Sequence, residues 1–130
     1  MASIFSKILK GEIPSFKIAE NEKFFAILDA FPVAKGHILI IPKAEIDYIF
    51  DLADSDLAEI NLFSKKVAKA IQAAIPCQRI GVAIIGLEVP HAHIHLIPLN
   101  SMEDINFSKP KMKLSQEEMS QIAEEIKKHL

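Results

Sequence analysis

The sequence has 130 residues, of which half are hydrophobic and a quarter are charged, and its 15 basic and 17 acidic residues give a formal charge of −2. This composition excludes a disordered or repetitive chain, and the balanced charge excludes the broad basic surface of a protein that binds nucleic acid or anionic lipid. The length is that of one domain, so we expect a single domain over residues 1–130.

The sequence predicts neither a membrane span nor a secretion signal. The longest apolar run, Val33–Pro42, is interrupted by Lys35 and is shorter than the roughly 18 residues that a span requires. At the N-terminus, Lys7 and Lys10 lie within an amphipathic pattern that lacks the apolar core of a signal peptide. The single Cys77 cannot form an internal disulfide, which is typical of a reducing compartment. We therefore expect a cytoplasmic protein that associates with no membrane.

The first third of the chain predicts one short helix and three strands. The predicted elements are a helix from Ser3 to Gly11 and strands over Phe16–Ala19, Phe24–Leu28 and His37–Ile41. Serine is a favoured helix N-cap and glycine a favoured helix end. The apolar runs are separated by turn-forming residues, as expected for strands in an antiparallel arrangement.

The remainder predicts two helices and two strands. These are a long helix that begins near Asp54–Asp56 and ends before Pro76, strands over Arg79–Ile85 and His91–Leu99, and a last helix capped by Ser115. Asp56 and Glu59 have the spacing of a capping box, and apolar residues recur every three or four positions along the long helix. Strands and helices that do not alternate regularly indicate an α+β domain with a mainly antiparallel sheet.

Three histidines at strict alternation, His91, His93 and His95, are the most informative pattern. In a strand, alternate side chains share one face, so the three imidazoles are expected to line one cleft while the apolar residues between them point into the core. Imidazole has an unperturbed pKa near 6.5, so it is largely neutral at pH 7 and available as a nucleophile or ligand.

Three interpretations of this pattern remain open. The histidines could form a solvated face of an edge strand, or two of them could bind zinc with His37, Asp29 or Glu88 as a third ligand. All three could not reach one ion without a bulge, because their backbones span roughly 13 Å in a strand. We favour nucleophilic catalysis on phosphorus, in which one imidazole attacks while its neighbours orient it and bind the phosphoryl oxygens.

The H-A-H-I-H-L-I segment at 91–97 resembles the signature of the histidine-triad family, H-x-H-x-H followed by two apolar residues. Segments 3–16, 26–43 and 86–91 resemble the other characteristic segments of that family. The resemblance implies a five-stranded, mainly antiparallel sheet with one long and two shorter helices, continued across a homodimer. It also implies cofactor-free hydrolysis of a purine nucleotide conjugate at the α-phosphorus through a nucleotidyl-histidine, the conjugate being a phosphoramidate, an acyl-adenylate or a dinucleoside polyphosphate.

The resemblance assigns roles to particular residues. His93 matches the nucleophile, His91 and His95 its partners at the phosphate, and His37 a fourth, supporting histidine. Asp29 matches the acid that binds the ribose hydroxyls, although an aspartate before Pro32 is also a common turn residue. The remaining matched positions are Phe5, Leu28 and Leu39 around the base, and Glu88 near the leaving group.

Several positions depart from the family pattern. Ser3 and Ser6 stand where zinc-containing members have cysteines, and Glu45 stands near the place of a zinc-binding histidine, so we expect no structural metal. Leu87 replaces the usual glutamine, and Glu88 replaces a hydroxyl residue. The sequence therefore does not identify the leaving group of the substrate. Two alternatives therefore accompany the hydrolase hypothesis: a nucleotide-binding or partner-binding protein with little catalysis, and a metal-dependent hydrolase that uses the same histidines.

Overall fold

The computed structural model describes residues 2–130, which form five strands in one sheet and three α-helices. The elements are α1 (Ile4–Leu9), β1 (Lys17–Glu20), β2 (Phe24–Leu28), β3 (Ile38–Pro42), α2 (Asp54–Ala74), β4 (Arg79–Ala83), β5 (Ile94–Leu99) and α3 (Gln116–Lys127), with short 3-10 turns at Ile49–Asp51 and Met102–Ile105. The strand order is β1-β2-β3-β5-β4, and every neighbouring pair is antiparallel. The predicted α+β fold, with a five-stranded antiparallel sheet, one long helix and two shorter helices, is confirmed, whereas the continuation of the sheet across a homodimer stays a prediction. Within residues 2–130, no helix combines the length and apolar character that crossing a membrane requires.

The sheet is covered on both faces. Successive side chains of a strand point to opposite faces, and all residues of β2 and β3 are buried. One face packs under α2 and α3 and carries the larger apolar core, which includes Phe24 and Ile40. The other face carries a smaller cluster formed by Phe25, Ile27, Leu39 and Ile41 with Phe5 of α1. The histidine rings lie on the α1 side.

The long helix begins differently from the prediction. Its N-cap is Ala53, which makes no side-chain capping hydrogen bond, and Asp56 already lies in the first turn. The capping box predicted at Asp56 and Glu59 is therefore wrong. Both carboxylates instead bind Lys23 Nζ, at 2.9 and 3.1 Å, and acidic groups in the first turn still interact favourably with the helix dipole.

The two shorter helices begin as predicted. Ser3 Oγ accepts a hydrogen bond from the backbone N–H of Ser6 at 3.1 Å. Ser115 Oγ accepts one from the backbone N–H of Glu118, also at 3.1 Å, and the Glu118 carboxylate accepts one from the backbone N–H of Ser115. Ser3 and Ser115 are thus equivalent N-caps at opposite ends of the chain.

Four strands differ in length or position from their predicted bounds. β5 begins at Ile94 rather than His91 because the backbone N–H of Ala92 donates to Ile46 O at 2.7 Å instead of joining the ladder. β4 ends at Ala83, opposite His95, so the predicted residues Ile84 and Ile85 belong to the following loop. β1 and β3 are each shifted by one residue from their predicted bounds, to 17–20 and 38–42.

Candidate functional site

Four histidines meet beside α1. His37, His91, His93 and His95 are each at most 8 % exposed, and the ring centroids of His93 and His95 are 4.9 Å apart. The Phe5 ring packs edge-on against His91 and His93, at 5.6 and 5.0 Å. The predicted alternation holds although the first two histidines precede β5, because the intervening residues 92, 94 and 96 lie in the core on the opposite side.

Both ring nitrogens of His91 are bonded within the protein. Nε2 lies 2.8 Å from the carbonyl oxygen of Pro42, which only accepts, so Nε2 carries the proton. In the neutral ring Nδ1 therefore accepts, and its partner is Ser3 Oγ at 2.6 Å. His91 is fully buried and has no ring nitrogen left for a phosphate, in contrast to the role that the resemblance implied.

His93 has one ring nitrogen free. Its Nδ1 lies 2.8 Å from the carbonyl oxygen of His91 and must donate to it, so the neutral ring carries its lone pair on Nε2. That Nε2 has no hydrogen-bond partner in residues 2–130. Every buried side-chain nitrogen and oxygen in these residues has a partner. Nε2 therefore reaches solvent, and in the neutral ring its lone pair is available for nucleophilic attack.

His37 fixes the tautomer of His95. The backbone N–H of Val33 donates to His37 Nδ1 at 3.1 Å, so the proton of neutral His37 is on Nε2, which donates to His95 Nδ1 at 2.9 Å. Neutral His95 then presents Nε2–H. Burial, reinforced by the charges of neighbouring histidines and Lys111, lowers the pKa of His37 to about 3 and that of His95 to about 4. Both rings are neutral at neutral pH.

These two depressed pKa values make the fold sensitive to mild acid. The unfolded chain binds a proton at each histidine below its ordinary pKa of about 6.5, whereas the folded chain does not until about pH 4 or lower. We therefore expect the free energy of unfolding to fall as the pH drops from about 7.5 to 5, by about 2 kcal/mol per histidine. Denaturant titrations at the two pH values measure the difference.

The control variants are His37→Asn and His129→Asn. His37→Asn removes one of the two groups and is expected to reduce the pH dependence by about half, while exposed His129 is expected to leave it unchanged. Asp29 has the opposite effect on the pH dependence of stability. Burial raises the pKa of its carboxyl, so the folded chain binds a proton there more readily than the unfolded chain as the pH falls. Equal stability at both pH values would contradict the neutral, buried pair.

Asp29 serves the turn and the site together. Its Oδ1 accepts from the backbone N–H of Phe31 at 2.9 Å, while Oδ2 lies 3.5 Å from His37 Nε2. Burial raises the pKa of this carboxyl first, and the charge of Glu88 raises it further. Glu88 is exposed and its side chain makes no hydrogen bond in the described chain, so it borders the site without closing it.

The apolar part of the site differs from the sequence assignment at one position. Phe5, Ile27 and Leu39 pack in one cluster on the α1 side, and Ile27 lies opposite Leu39 in the β2–β3 register. Leu28 packs in the core on the other face, away from Phe5 and Leu39, so the structure does not bring these three predicted base-contacting residues together. Because successive side chains of a strand point to opposite faces, Ile27 of β2 shares the face of Leu39 and Leu28 does not.

Phe107 and Lys111 also belong to the site, and no sequence pattern indicated them. The Phe107 ring packs edge-on against His95 at 4.9 Å and against His37 at 6.2 Å. Lys111 Nζ donates to Phe107 O at 2.6 Å and lies 5.5 Å from the centre of its ring. The charge of Lys111 contributes to the low pKa values of both histidines, so it supplies positive potential beside them.

Two groups of residues could be considered for a metal ion. Ligand atoms of Asp29, His37 and His95 lie within 4.8 Å of one another, but His37 Nε2 carries a proton because its Nδ1 accepts from Val33, so it has no lone pair to offer. The second group consists of the Ser3 and Ser6 hydroxyls, the Glu45 carboxylate and the His91 ring, which hydrogen bonds join. Zinc prefers thiolate, imidazole and carboxylate ligands, and the Nδ1 lone pair of His91 is taken by Ser3, so neither group fits a metal.

Comparison with known proteins gives a consistent result. Residues 10–102 match the family described as HIT domain. The chain is 39 % identical over 129 residues to an adenosine 5'-monophosphoramidase of Schizosaccharomyces pombe, covering 97 % of this chain and 96 % of that protein. It is 43 % identical over 99 residues to one of Saccharomyces cerevisiae, covering 75 % and 62 %. A crystal structure of a Hit-like protein from Bartonella henselae superposes with a TM-score of 0.84 at 28 % identity, covering 98 % and 96 %.

Proposed function

The chain belongs to the HIT domain family, and on that premise we propose that it is a nucleotide hydrolase that cleaves an adenosine 5'-phosphoramidate at the α-phosphorus. The substrate class is suggested by the two fungal relatives, both of which are named adenosine 5'-monophosphoramidase. The observation that carries the proposal is the unpartnered, solvent-reaching Nε2 of His93 beside the Nε2–H of His95. One group can attack phosphorus and the other can bind its oxygens.

The first step forms a bond between His93 Nε2 and the α-phosphorus. The lone pair of Nε2 attacks, the phosphorus–nitrogen bond of the substrate breaks, and the amine leaves after taking a proton from solvent. The resulting imidazolium keeps its Nδ1 proton, which the carbonyl of His91 continues to accept. This carbonyl therefore stabilises the cationic intermediate that the attack creates.

The second step returns the enzyme to its starting state. A water molecule attacks the same phosphorus and loses a proton to solvent, the bond to His93 Nε2 breaks, and the lone pair returns to that nitrogen. In both steps negative charge grows on the phosphoryl oxygens, where His95 Nε2–H donates and the positive charge of Lys111 adds stabilisation. A chain with a net charge of −2 requires such local cations and donors to hold an anionic substrate.

The nucleoside is held by the other groups of the site. We assign the base to the apolar surface formed by Phe5, Ile27 and Leu39. The carboxylate of Asp29 keeps Oδ2 outside the turn, and a carboxylate oxygen accepts well from vicinal ribose hydroxyls. The exposed Glu88 is assigned to the leaving-group side of the site, where it disfavours an anionic leaving group and favours an amine.

A substrate panel tests this function. Adenosine 5'-phosphoramidate, an acyl-adenylate and diadenosine polyphosphates are offered at equal concentration, and release of AMP is followed. We expect the phosphoramidate to have the highest kcat/KM. Tight AMP binding without turnover of any of them would favour the nucleotide-binding alternative and would overturn the hydrolase proposal.

The functional unit is proposed to be a homodimer that forms through β4. This strand lies at the edge of the sheet, and exposed apolar side chains follow one another along this edge: Val82 of β4 and Ile84, Ile85 and Leu87 of the loop after it are 42–88 % exposed. Tyr48 and Phe50, which are 58 and 68 % exposed, lie beside Ile84 and Ile85. An unpaired apolar edge strand favours pairing with a second copy.

We expect Val82→Glu to convert the dimer to a monomer. The substitution places two like charges where two edge strands meet and removes apolar contact area, each of which opposes association. Light scattering coupled to size-exclusion chromatography measures the mass. The matched control is Leu62→Glu on α2, where the replaced side chain is 67 % exposed and no change in mass is expected; a wild-type monomer would contradict the proposal.

A further inference from the structure

Four polar residues, Ser3, Ser6, Glu45 and His91, join α1 to the histidine run, and the reaction described above leaves three of them without a role. Ser3 Oγ lies 2.6 Å from His91 Nδ1 and is buried with it. The Ser3 N–H and the Ser6 hydroxyl both donate to Glu45 Oε1, at 2.5 and 2.7 Å. The cluster spans 88 residues of sequence between Ser3 and His91.

With a neutral His91 ring, the directions of the short hydrogen bonds in this cluster are fixed. His91 Nε2 donates to Pro42 O, so the ring can only accept at Nδ1, and the one proton of the Ser3 hydroxyl is donated there. The same oxygen accepts from the backbone N–H of Ser6 as the N-cap of α1. Ser3 therefore uses its hydroxyl as a donor to the histidine and as an acceptor for the helix.

This arrangement reaches the nucleophile through one further residue. His91 is held at both ring nitrogens, and its carbonyl accepts the Nδ1 proton of His93, which leaves the lone pair on Nε2. Phe5, two residues after Ser3, packs against both rings. A displacement of Ser3 would therefore move both the hydrogen-bonding partner of the nucleophile and the ring that packs on it.

We propose that Ser3, anchored by Glu45, is a positioning residue that sets the orientation of His93 through His91, in place of a structural metal. The inference rests on the proposed function for its kinetic consequence, although the geometry itself does not depend on any substrate. It disagrees with the zinc site that the family resemblance implied for other members. The two hydroxyls and the occupied Nδ1 do not fit zinc, while hydrogen bonds join the same positions.

Kinetics of Ser3 variants on the phosphoramidate test the proposal. Ser3→Ala removes the donor to His91, and we expect kcat to fall about tenfold or more while KM changes less than about threefold, since Ser3 touches no substrate. Ser3→Thr keeps the hydroxyl and is expected to restore kcat to within about threefold of wild type. The matched control is Ser115→Ala, which removes the equivalent N-cap of α3 and is expected to leave kcat unchanged.

A second variant protects the test against a folding failure. Glycine is nearly as good an N-cap as serine, so Ser3→Gly lacks the donor while retaining the start of α1, and the same loss of kcat is expected. If Ser3→Ala and Ser3→Gly fold and keep wild-type kcat, or if both lower kcat no more than Ser115→Ala does, the positioning role is overturned.

Nitrogen-15 NMR of the imidazoles gives a readout that requires no turnover. In the wild type we expect Nδ1 of His91 unprotonated and hydrogen-bonded, and Nδ1 of His93 protonated. In Ser3→Ala we expect the His91 Nδ1 resonance and the His93 resonances to shift, while Ser115→Ala leaves them in place. Unchanged resonances, or stoichiometric zinc in the purified protein with a Tm that falls on chelation, would overturn the inference. Absence of turnover in the wild type would reject the proposed function alone, because the NMR comparison still decides the role of Ser3.

Discussion

Replacing His93 by alanine is expected to lower kcat/KM for the phosphoramidate by at least about 10⁴-fold. The substitution removes the nitrogen that forms the covalent bond to phosphorus, and loss of a nucleophile removes most of the catalysis that depends on it. The ring is 7 % exposed and packs against Phe5 and His95, so part of its packing is lost as well. Steady-state release of AMP measures the effect.

His93→Gln separates chemistry from folding and binding. Glutamine is closer in size to histidine than alanine is, and it has no ring nitrogen that can form the intermediate. We expect this variant to bind AMP within about threefold of the wild type by calorimetry while turnover stays lost. Turnover by either variant within about tenfold of the wild type would exclude His93 as the nucleophile.

Replacing His95 by alanine is expected to lower kcat by about 10²- to 10³-fold, or about 3–4 kcal/mol of activation free energy. The neutral ring donates from Nε2 because His37 donates to its Nδ1, and such donors are most valuable where charge develops on a phosphoryl oxygen. The loss is expected in kcat more than in KM. Single-turnover measurements distinguish a slower chemical step from slower product release.

Two variants accompany this measurement. His95→Gln has an amide N–H donor, which His95→Ala lacks, and is expected to recover part of the lost kcat. His129→Gln, at an exposed position after α3, is expected to have no effect. If His95→Ala retains kcat within about threefold of the wild type, the donor role is contradicted.

Local pattern predicted the fold well because most of its determinants are local. The apolar runs that form β2 and β3 and the N-caps at Ser3 and Ser115 depend on neighbouring residues, and all are present in the structure. The alternation of residues 91–96 also predicted correctly which side chains face the core. Bounds were less certain: the backbone of Ala92 pairs with Ile46, a contact that no local pattern specifies.

Long-range contacts account for what the sequence did not predict about the site. The histidine run indicates imidazole chemistry, but the tautomers of His93 and His95 depend on the His91 carbonyl and on His37. His91 could not be separated from its neighbours by spacing alone, since only its contacts with Ser3 and Pro42 show that its nitrogens are occupied.

Phe107 and Lys111 illustrate the same limit from another part of the chain. They follow β5 and lie outside the segment that matches the HIT domain, in a stretch without regular structure or recognisable motif. Only the folded chain brings the Phe107 ring onto His95 and Lys111 beside it.

The covalent intermediate tests the central claim most directly. Wild-type protein and His93→Ala are mixed with adenosine 5'-phosphoramidate, quenched during turnover and digested, and the peptides are mapped by mass spectrometry. We expect an adenylyl adduct on the wild-type peptide at His93, formed and lost at rates compatible with turnover, and no adduct in the variant. An adduct on another residue, or turnover by the wild type without any adduct at His93, would contradict the account.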